Sequence, residues 1–355
     1  MNLFFVIPGD LDTRTGGYGY DRRIISGLRA RGWTVNIVQL DGDYPVPDTA
    51  SRARASQALA QIPDGATVLA DGLALGALPD EVERDAARLR VVALVHHPLA
   101  DETGIEPALA AALEVSERRA LAFARAVVVT SRATAARLAH FGVAPERITV
   151  IEPGTDPAPL ARTSLQSAIC NLQSEISLLC VATVTPRKGY HLLVSALAAV
   201  PHANWRLTCA GSLDRDPGTV AGVRAQLRAC GLADRVTFAG DLDPAMLAAE
   251  YDRADLFVLP TLYEGYGMAV AEALARGLPV ISTATGAIPD LVGTAAGIVV
   301  PPGDLPAFTR ALSRAMDDSG LRVRLAAGAR AVRDRLLTWE TAAAAMARVL
   351  EEAAN

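Results

Sequence analysis

The chain has 355 residues, of which 51% are hydrophobic and 21% are charged, and its formal net charge is −5. This length fits two domains of ordinary size, and the apolar content is sufficient to form a core in each. The chain has no global basic field, and only 5% of its residues are aromatic. These values argue against nucleic acid as a partner, because both phosphate binding and base stacking lack the necessary residues.

The four cysteines are Cys170, Cys180, Cys209 and Cys230, and no two of them form a C-x-x-C pair. They therefore indicate neither a zinc site nor a redox motif, and Cys180 and Cys209 are predicted core residues of apolar strands. The apolar N-terminus is too short for a signal sequence and predicts a first strand. No apolar run approaches the length of a membrane span, so we expect a cytoplasmic protein.

Strands and helices alternate from residue 2 to about residue 156, and the alternation resumes at Leu178. This order is typical of doubly wound parallel sheets, so we expect an α/β protein with two Rossmann-like domains. The predicted domains are residues 1–160 and 175–337. Residues 157–177 are rich in Pro, Ser and small polar residues and predict a linker between them.

A glycine turn follows the first strand and contains Gly16 and Gly17, with a helix predicted to begin near Tyr20. Glycines at this place would let backbone amides approach a phosphate or an acceptor. An ordinary strand-to-helix turn is equally consistent with the pattern. Asp21 and its two neighbouring arginines open the helix and are interpreted as surface residues that could contact an acceptor.

Two histidines, His96 and His97, end an apolar strand, where side chains meet ligands in such sheets. His97 could orient the polar loop that follows or contact an acceptor. Asp101 and Glu102 in that loop could contact acceptor hydroxyls or be solvated. A later strand ends at Ser131, which is a further candidate for the acceptor side.

Lys188 is the single lysine of the chain, since every other basic position is arginine. It follows a buried strand in the turn Pro186–Gly189, beside Arg187. Arginine offers a planar fork and lysine a compact charge, so the pair suits a diphosphate. The alternative is a solvent-facing turn with no ligand.

The segment from Pro260 to Pro279 joins a buried strand to a helix and carries Glu264 and Glu272, eight positions apart. The free amides at the start of this helix are suited to phosphate. One carboxylate would then bind sugar hydroxyls and the other a ribose. Alternatively, Glu264 is a solvated loop residue and Glu272 an acid favoured by the helix dipole. The turn residues Gly265, Tyr266, Gly267, Met268 and Ala269 are candidate donor contacts.

Together these motifs resemble the family 4 retaining glycosyltransferases of the GT-B fold, and the resemblance covers nearly the whole chain. The matching segments, in chain order, are Phe4–Gly9, Thr15–Gly19, Val91–His97, Val127–Ser131, Ile148–Asp156, Pro186–Gly189, Cys209–Gly211, Val236–Gly240, Glu264–Glu272 and Gly297–Gly303. The resemblance implies a hexosyltransferase whose two domains face each other across a cleft. It also implies that the last helix, within 338–355, returns to the first domain.

The resemblance implies a role for each candidate residue. His96 and Glu264 would contact the donor sugar, Arg187 and Lys188 the diphosphate, and Glu272 the ribose. Backbone around the Ala239–Met246 loop, which includes Gly240, would hold most of the base. The donor would be a UDP- or GDP-sugar, and no metal or other cofactor would be required. The acceptor could be a lipid, a polysaccharide or a small metabolite.

The chain departs from the family pattern at three places. Ala182 stands where glycine is usual, Glu152 stands where asparagine is common, and residues 158–177 match no pattern. Two alternatives to a transferase remain open at this stage, a nucleotide-sugar-binding protein and another GT-B enzyme such as an epimerase or a phosphorylase. A helix near residues 114–125 carries arginines beside apolar residues, so a membrane-surface role is also open, although a solvated helix face is the simpler interpretation.

Overall fold

The structure is a computed structural model that describes residues 1–162, 175–201 and 204–355. Within it, the chain forms two compact units, residues 1–154 with 337–355 and residues 155–336. Each unit is an α/β domain built on a parallel six-stranded sheet. The prediction of two doubly wound Rossmann-like domains is therefore confirmed.

The first unit contains six strands, and at least one helix lies between each strand and the next along the chain. Its elements are β1 (Asn2–Pro8), α1 (Gly16–Ala30), β2 (Thr34–Leu40), α2 (Thr49–Ala60), β3 (Thr67–Asp71), α3 (Gly72–Leu75), α4 (Pro79–Asp85), β4 (Arg90–Val95), α5 (Pro107–Ala122), β5 (Ala126–Val129), α6 (Arg132–Ala139) and β6 (Ile148–Val150). The sheet order is β2-β1-β3-β4-β5-β6, with all neighbours parallel. The order reverses between β1 and β3, and ligands bind outside the carboxyl ends of strands at such a point.

The second unit repeats the plan with six further strands. Its elements are β7 (Ile176–Val181), α7 (Tyr190–Ala199), β8 (Trp205–Ala210), α8 (Pro217–Ala229), β9 (Val236–Gly240), α9 (Pro244–Arg253), β10 (Leu256–Leu259), α10 (Met268–Ala275), β11 (Val280–Thr283), α11 (Ile288–Val292), β12 (Gly297–Val300), α12 (Leu305–Asp317) and α13 (Ser319–Arg333). The sheet order is β12-β11-β10-β7-β8-β9. Its reversal point lies between β7 and β10.

The cores explain why the strands are continuous apolar runs rather than alternating ones. Residues Val91–Val95 of β4 and all four residues of β10 are buried, because helices cover both faces of a parallel sheet. Cys180 and Cys209 lie side by side on β7 and β8 and are buried, as predicted. Cys230 is exposed, and Cys170 lies outside the described residues.

The last helix, α14 (Trp339–Ala354), belongs to the first unit, where its apolar face packs on α1. Met346 and Leu350 are fully buried in the same core cluster as Ile24 and Leu28. The bounds of the helix match the sequence-based expectation. Its assignment to the first unit also agrees with what the family resemblance implied.

The division between the units falls after Gly154 rather than at the predicted residue 160. The reason lies in the hydrogen bonds of the following segment. Ala161 N–H donates to Arg276 O at 2.9 Å, and the Arg333 guanidinium donates to Ala158 O at 2.7 Å. Residues 155–162 are thus held on the second unit, and most of the predicted 157–177 linker lies outside the described residues.

Candidate functional site

The second unit brings two loops together at its reversal point, one after β7 and one after β10. Gly189 makes this approach possible, because its φ of +70° is left-handed and an added Cβ would overlap the Pro260 carbonyl. Leu262 N–H donates to Arg187 O at 2.7 Å, and Thr261 Oγ1 donates to the same oxygen at 3.1 Å. The two predicted motifs are therefore joined by one backbone hydrogen bond and one hydrogen bond from the Thr261 side chain.

Lys188 and Glu264 form an ion pair within this junction, and we call the two residues the lysine pair. Their side chains are only 15% and 11% exposed, so the solvent-facing alternatives for both residues are wrong. Burial by itself would raise the pKa of Glu264, but the charges of Lys188 and Arg187 hold that pKa below its ordinary value. Arg187 also donates to Tyr263 O at 3.2 Å. The junction therefore contains two partly buried basic side chains and one compensating carboxylate.

Glu272 is held by its neighbours rather than solvated. The Tyr251 hydroxyl on α9 donates to Glu272 Oε2 at 3.0 Å, and the Arg276 guanidinium lies 4.3 Å from the centre of the Tyr251 ring. Burial raises the pKa of the Glu272 carboxyl, and the Tyr251 hydrogen bond and the Arg276 charge oppose that rise. The sequence did not indicate Tyr251, because it lies 21 positions from its partner.

The start of α10 has no side-chain cap, because the N-cap residue, Gly267, has no side chain, and the helix then begins with Met268 and Ala269. Amides at an uncapped helix start can bind an anion. Tyr266 differs from the other turn residues, because its side chain is 5% exposed and packs against Ala271 and Ala287. A ligand would therefore meet mainly the backbone of this turn.

Gly240 does not join the lysine pair. It ends β9, and β8 separates β9 from β7, so about 10 Å of sheet lies between Gly240 and the reversal point. Its carbonyl accepts a 2.8 Å hydrogen bond from Gly211 N–H. The predicted contact between Gly240 and a nucleotide base stays a prediction.

In the first unit, α1 begins at Gly16 and not near Tyr20 as predicted, because the Thr15 hydroxyl caps the helix by accepting from Tyr18 N–H at 3.3 Å. Gly16 and Gly17 are therefore the first helical residues rather than part of a free turn. A Cβ on Gly17 would lie 3.3 Å from His96 Cδ2. Glycine at this position lets the helix start pack against the histidine ring.

His96 is held by two acids, and we call Asp21, Asp71 and His96 the histidine cluster. His96 Nε2 lies 3.2 Å from Asp21 Oδ1 and 3.5 Å from Asp71 Oδ2. Interpreting Asp21 as a surface residue was wrong, because its side chain is 0% exposed. The helical spacing of Asp21 from the apolar residues after it could have indicated its burial, since positions 21, 24, 25 and 28 form the buried stripe of α1. Asp71 is the last residue of β3 and His96 is the residue after β4, and the sequence analysis did not identify Asp71.

Among the described residues, the histidine cluster is the only group of three or more His, Cys, Asp or Glu side chains that could hold a metal ion. Its potential ligand atoms lie within 4.8 Å of one another. The prediction that no metal is required therefore stays a prediction.

The predicted acceptor residues have separate roles in the structure. His97 lies 3.4 Å from Glu102, and Asp101 pairs with Arg137 at 3.0 Å, so the loop after β4 is tied to α6. Ser131 is fully buried, and its hydroxyl caps α6 by accepting from Thr134 N–H. An acceptor contact through the Ser131 side chain is therefore wrong, because no part of it is accessible.

Glu117 on α5 was not predicted to take part in any site, yet it anchors the same loop. It is fully buried, and its Oε2 accepts from Leu99 N–H at 2.9 Å. Burial raises the pKa of the Glu117 carboxyl to about 8. Only its spacing on α5, in line with Leu113, Ala120 and Leu121, signals that it faces the core.

No membrane-spanning helix is found among the described residues. The arginines of α5 are neutralised locally, since Arg119 pairs with Asp80 and Glu83, and Arg118 pairs with Glu114. This pairing weakens the membrane-surface hypothesis, which stays untested.

The chain matches two protein-family models. Residues 65–159 match Glycosyltransferase Family 4, and residues 169–332 match Glycosyl transferases group 1. The chain therefore belongs to the family 4 glycosyltransferases, and the resemblance inferred from its motifs is confirmed, as is the GT-B fold class.

Among curated proteins, the chain is 33% identical over 250 residues to the D-inositol 3-phosphate glycosyltransferase of Xylanimonas cellulosilytica. The match covers 67% of this chain and 60% of that protein, so it spans less than two thirds of the relative's length.

Solved structures show the same fold. The sucrose-phosphate synthase of Thermosynechococcus elongatus has a TM-score of 0.82 at 23% identity, covering 99% of this chain and 98% of that one. The HepE protein of Anabaena, solved with UDP-glucose, has a TM-score of 0.77 at 18% identity, covering 99% and 100%.

Proposed function

We propose that the protein transfers a sugar from a UDP- or GDP-sugar to an acceptor hydroxyl, with retention of configuration and without a metal. The lysine pair carries this proposal, because it places the only lysine of the chain beside a buried carboxylate at the reversal point of the second sheet. Family membership supports the reaction class. The HepE complex supports a nucleotide sugar as the donor.

Binding of the donor follows from the charges at this junction. Its diphosphate would take Lys188 away from Glu264 and add Arg187 and the amides of Gly267, Met268 and Ala269 as partners. Glu264 would then be released to accept from a sugar hydroxyl. Glu272, already oriented by Tyr251, would accept from the two hydroxyls of the ribose. In the first unit, His96 would donate to a hydroxyl of the transferred sugar.

Transfer would break the bond between the anomeric carbon and the phosphate oxygen, and the electron pair would leave with the nucleotide diphosphate. The acceptor oxygen would form its bond on the same face of the sugar, and its proton would pass to the departing phosphate oxygen. Lys188 and Arg187 would stabilise the negative charge that develops there. Acceptors of three kinds fit this scheme: a lipid, a polysaccharide and a small metabolite.

The test is a panel of UDP- and GDP-sugars incubated with the protein and mixed acceptors, with the anomeric configuration of the product read by NMR. Donor binding is measured in parallel as a shift in the thermal unfolding midpoint, since a ligand at 100 times its dissociation constant stabilises the folded state by about 2.7 kcal/mol. Lys188→Ala should lose both signals. Arg310→Ala, an exposed arginine on α12, is the matched control and should keep them.

An inverted product, or transfer that stops when divalent ions are chelated, would contradict the mechanism. Binding without any turnover would favour a nucleotide-sugar-binding protein. A new sugar nucleotide formed without acceptor would indicate an epimerase, and sugar phosphate formed with inorganic phosphate would indicate a phosphorylase.

A further inference from the structure

The histidine cluster joins three elements of the first unit at the carboxyl edge of its sheet. Asp21 comes from α1, Asp71 from the end of β3, and His96 from the residue that follows β4. The two carboxylates approach the same ring nitrogen, Nε2, at 3.2 Å and 3.5 Å. A proton on Nε2 can be shared between the two carboxylates as a hydrogen-bond donor. An unprotonated Nε2 would instead be an acceptor that faces two other acceptors, with no hydrogen to bond them.

The carboxylates have few other partners that could offset their burial. Asp71 Oδ1 caps α3 by accepting from Leu73 N–H at 2.7 Å, so one oxygen of Asp71 is already used. Asp21 Oδ2 is buried and makes no hydrogen bond among the described residues. Burying a carboxylate without a nearby cation costs free energy. A protonated His96 ring would offset this cost for Asp21.

The remaining surroundings are mostly neutral. The Tyr20 ring lies edge-on to His96 at 5.4 Å, with its hydroxyl directed to Ile151 O, and Thr130 Oγ1 donates to His96 O. Arg22 acts on Asp21 from the same helix, but its guanidinium is bound to the carbonyls of Leu11 and Thr13. Burial by itself would lower the pKa of His96, and the charges and hydrogen bonds of Asp21 and Asp71 outweigh it and raise that pKa.

The other ring nitrogen, Nδ1, makes no hydrogen bond to any residue that the structure describes, and the His96 side chain is 19% exposed. A ring protonated on both nitrogens has only N–H donors and cannot act as a base or as a nucleophile. Its available donor would be Nδ1–H, which suits a hydroxyl or a developing negative charge on a substrate.

We propose that Asp21 and Asp71 are positioning residues that hold His96 in its doubly protonated form, with Nε2–H shared between them and Nδ1–H presented to substrate oxygen. This inference rests on the proposed function for the identity of the substrate. The state of the ring can be measured without any substrate. Asp21 is the stronger of the two partners, because it is the closer one and has no helix to cap.

The experiment is a ¹⁵N NMR titration of histidine-labelled protein between pH 5 and pH 10, since the chain has five histidines and His96→Gln assigns the signal. In the wild type, the His96 ring should remain doubly protonated above pH 8. In Asp21→Asn its pKa should fall by one to three units, the usual effect of removing one close opposite charge. Asp71→Asn, which retains an oxygen to cap α3, should give a smaller fall.

Asp64→Asn makes the same substitution at a side chain that is 83% exposed, and it should leave the His96 signal unchanged. Circular dichroism establishes that each variant is folded. The pH profile of turnover supplies a second readout, because Asp21→Asn should lose activity above the new pKa of His96 while the wild type remains active there. A merely structural role for Asp21 would lower activity equally at every pH.

The proposal is overturned if wild-type His96 titrates near its ordinary value of 6.5, or if Asp21→Asn leaves its titration unchanged. It is also overturned if added Mn²⁺ or Zn²⁺ binds at the ring and restores activity after chelation, because the cluster would then be a metal site. The two proposals fail separately. A doubly protonated His96 in a protein that transfers no sugar contradicts only the proposed function, and sugar transfer with an ordinary His96 contradicts only this inference.

Discussion

The two units use the same sheet reversal but surround it with opposite charge. In the second unit, the lysine pair and Arg187 leave a net positive charge beside an uncapped helix start. In the first unit, two buried acids surround one histidine. The second unit's arrangement could bind an anion directly. The first unit's arrangement would instead present a hydrogen-bond donor whose positive charge is stabilised by the two neighbouring acids. The fold thus supplies the place for a ligand, and the side chains at each place decide which part of a ligand fits.

Among the substitutions that test this comparison, Lys188→Ala should have the largest effect on the rate of sugar transfer. Removing one charged donor to the leaving group costs on the order of 10²–10³ in rate, so kcat/KM for any nucleotide sugar should fall by that factor. Lys188→Arg should recover part of the loss, because it keeps the charge but not the shape. Steady-state kinetics with a saturating acceptor provides the measurement. Equal activity in Lys188→Ala and wild type would remove the second unit's site from catalysis.

Glu117→Gln tests how the first unit holds the loop after His96. The folded-state pKa of Glu117 is about 8, above its ordinary value of 4.5, so folding favours the protonated form. Its stabilising contribution is complete below pH 4.5 and is lost as the pH rises to 8. Relative to the wild type, Glu117→Gln should therefore gain on the order of 3–4 kcal/mol between pH 5 and pH 8.

Urea unfolding at both values of pH measures this change. Glu146→Gln, an exposed residue of the same unit, is the control and should follow the wild type. A wild type whose stability relative to Glu117→Gln does not vary with pH would show that Glu117 has an ordinary pKa.

Tyr251→Phe separates orientation of the ribose site from binding of the phosphates. A hydrogen bond to a charged group contributes about 1.5–3 kcal/mol, so KM for the donor should rise roughly 10- to 100-fold. A donor with a 2′,3′-dideoxyribose should bind the variant and the wild type equally. Tyr44→Phe removes a buried hydroxyl that has no partner among the described residues, and it should change neither value. A dideoxy donor that is also weakened would place Tyr251 outside the ribose site.

Gly17→Ala should have the smallest effect, and it should act on activity and stability in opposite directions. Alanine favours a helix over glycine by about 0.5–1 kcal/mol, which should raise the unfolding temperature slightly. Its Cβ would lie 3.3 Å from His96 Cδ2, which should displace the ring by a few tenths of an ångström and lower kcat. Calorimetry and kinetics on one preparation test both. A rise in stability with full activity would mean that the ring does not need its present position.

Most of the second unit's site could be predicted from local patterns. The buried strands β7 and β10, the turn glycines and the start of α10 each have a signature a few residues long, and the structure has both strands and the helix start where these signatures predict them. Lys188 was conspicuous because it has no equal in the chain. What the patterns did not reveal is that Lys188 pairs with Glu264, because 76 positions of chain separate them.

The first unit was less predictable, and for the same reason. Its histidine stands at a strand end, which is a local feature, but the acids around it lie on two other elements. Asp21 was assigned to the surface because charged residues at a helix start usually face solvent. Its burial follows from the register of α1 on the sheet, where it shares a stripe with Ile24 and Leu28.

The amino-acid sequence alone was sufficient for the fold class, the strand-ending motifs and the family, because periodicity and turn chemistry act over a few neighbouring residues. The partners of Lys188, His96, Glu272 and Glu117 depended on the packed structure. Each pairing joins distant segments, and the cost of a buried charge is defined only once packing has removed its water. The tertiary structure therefore established that Lys188 faces Glu264 and that His96 is held between two acids.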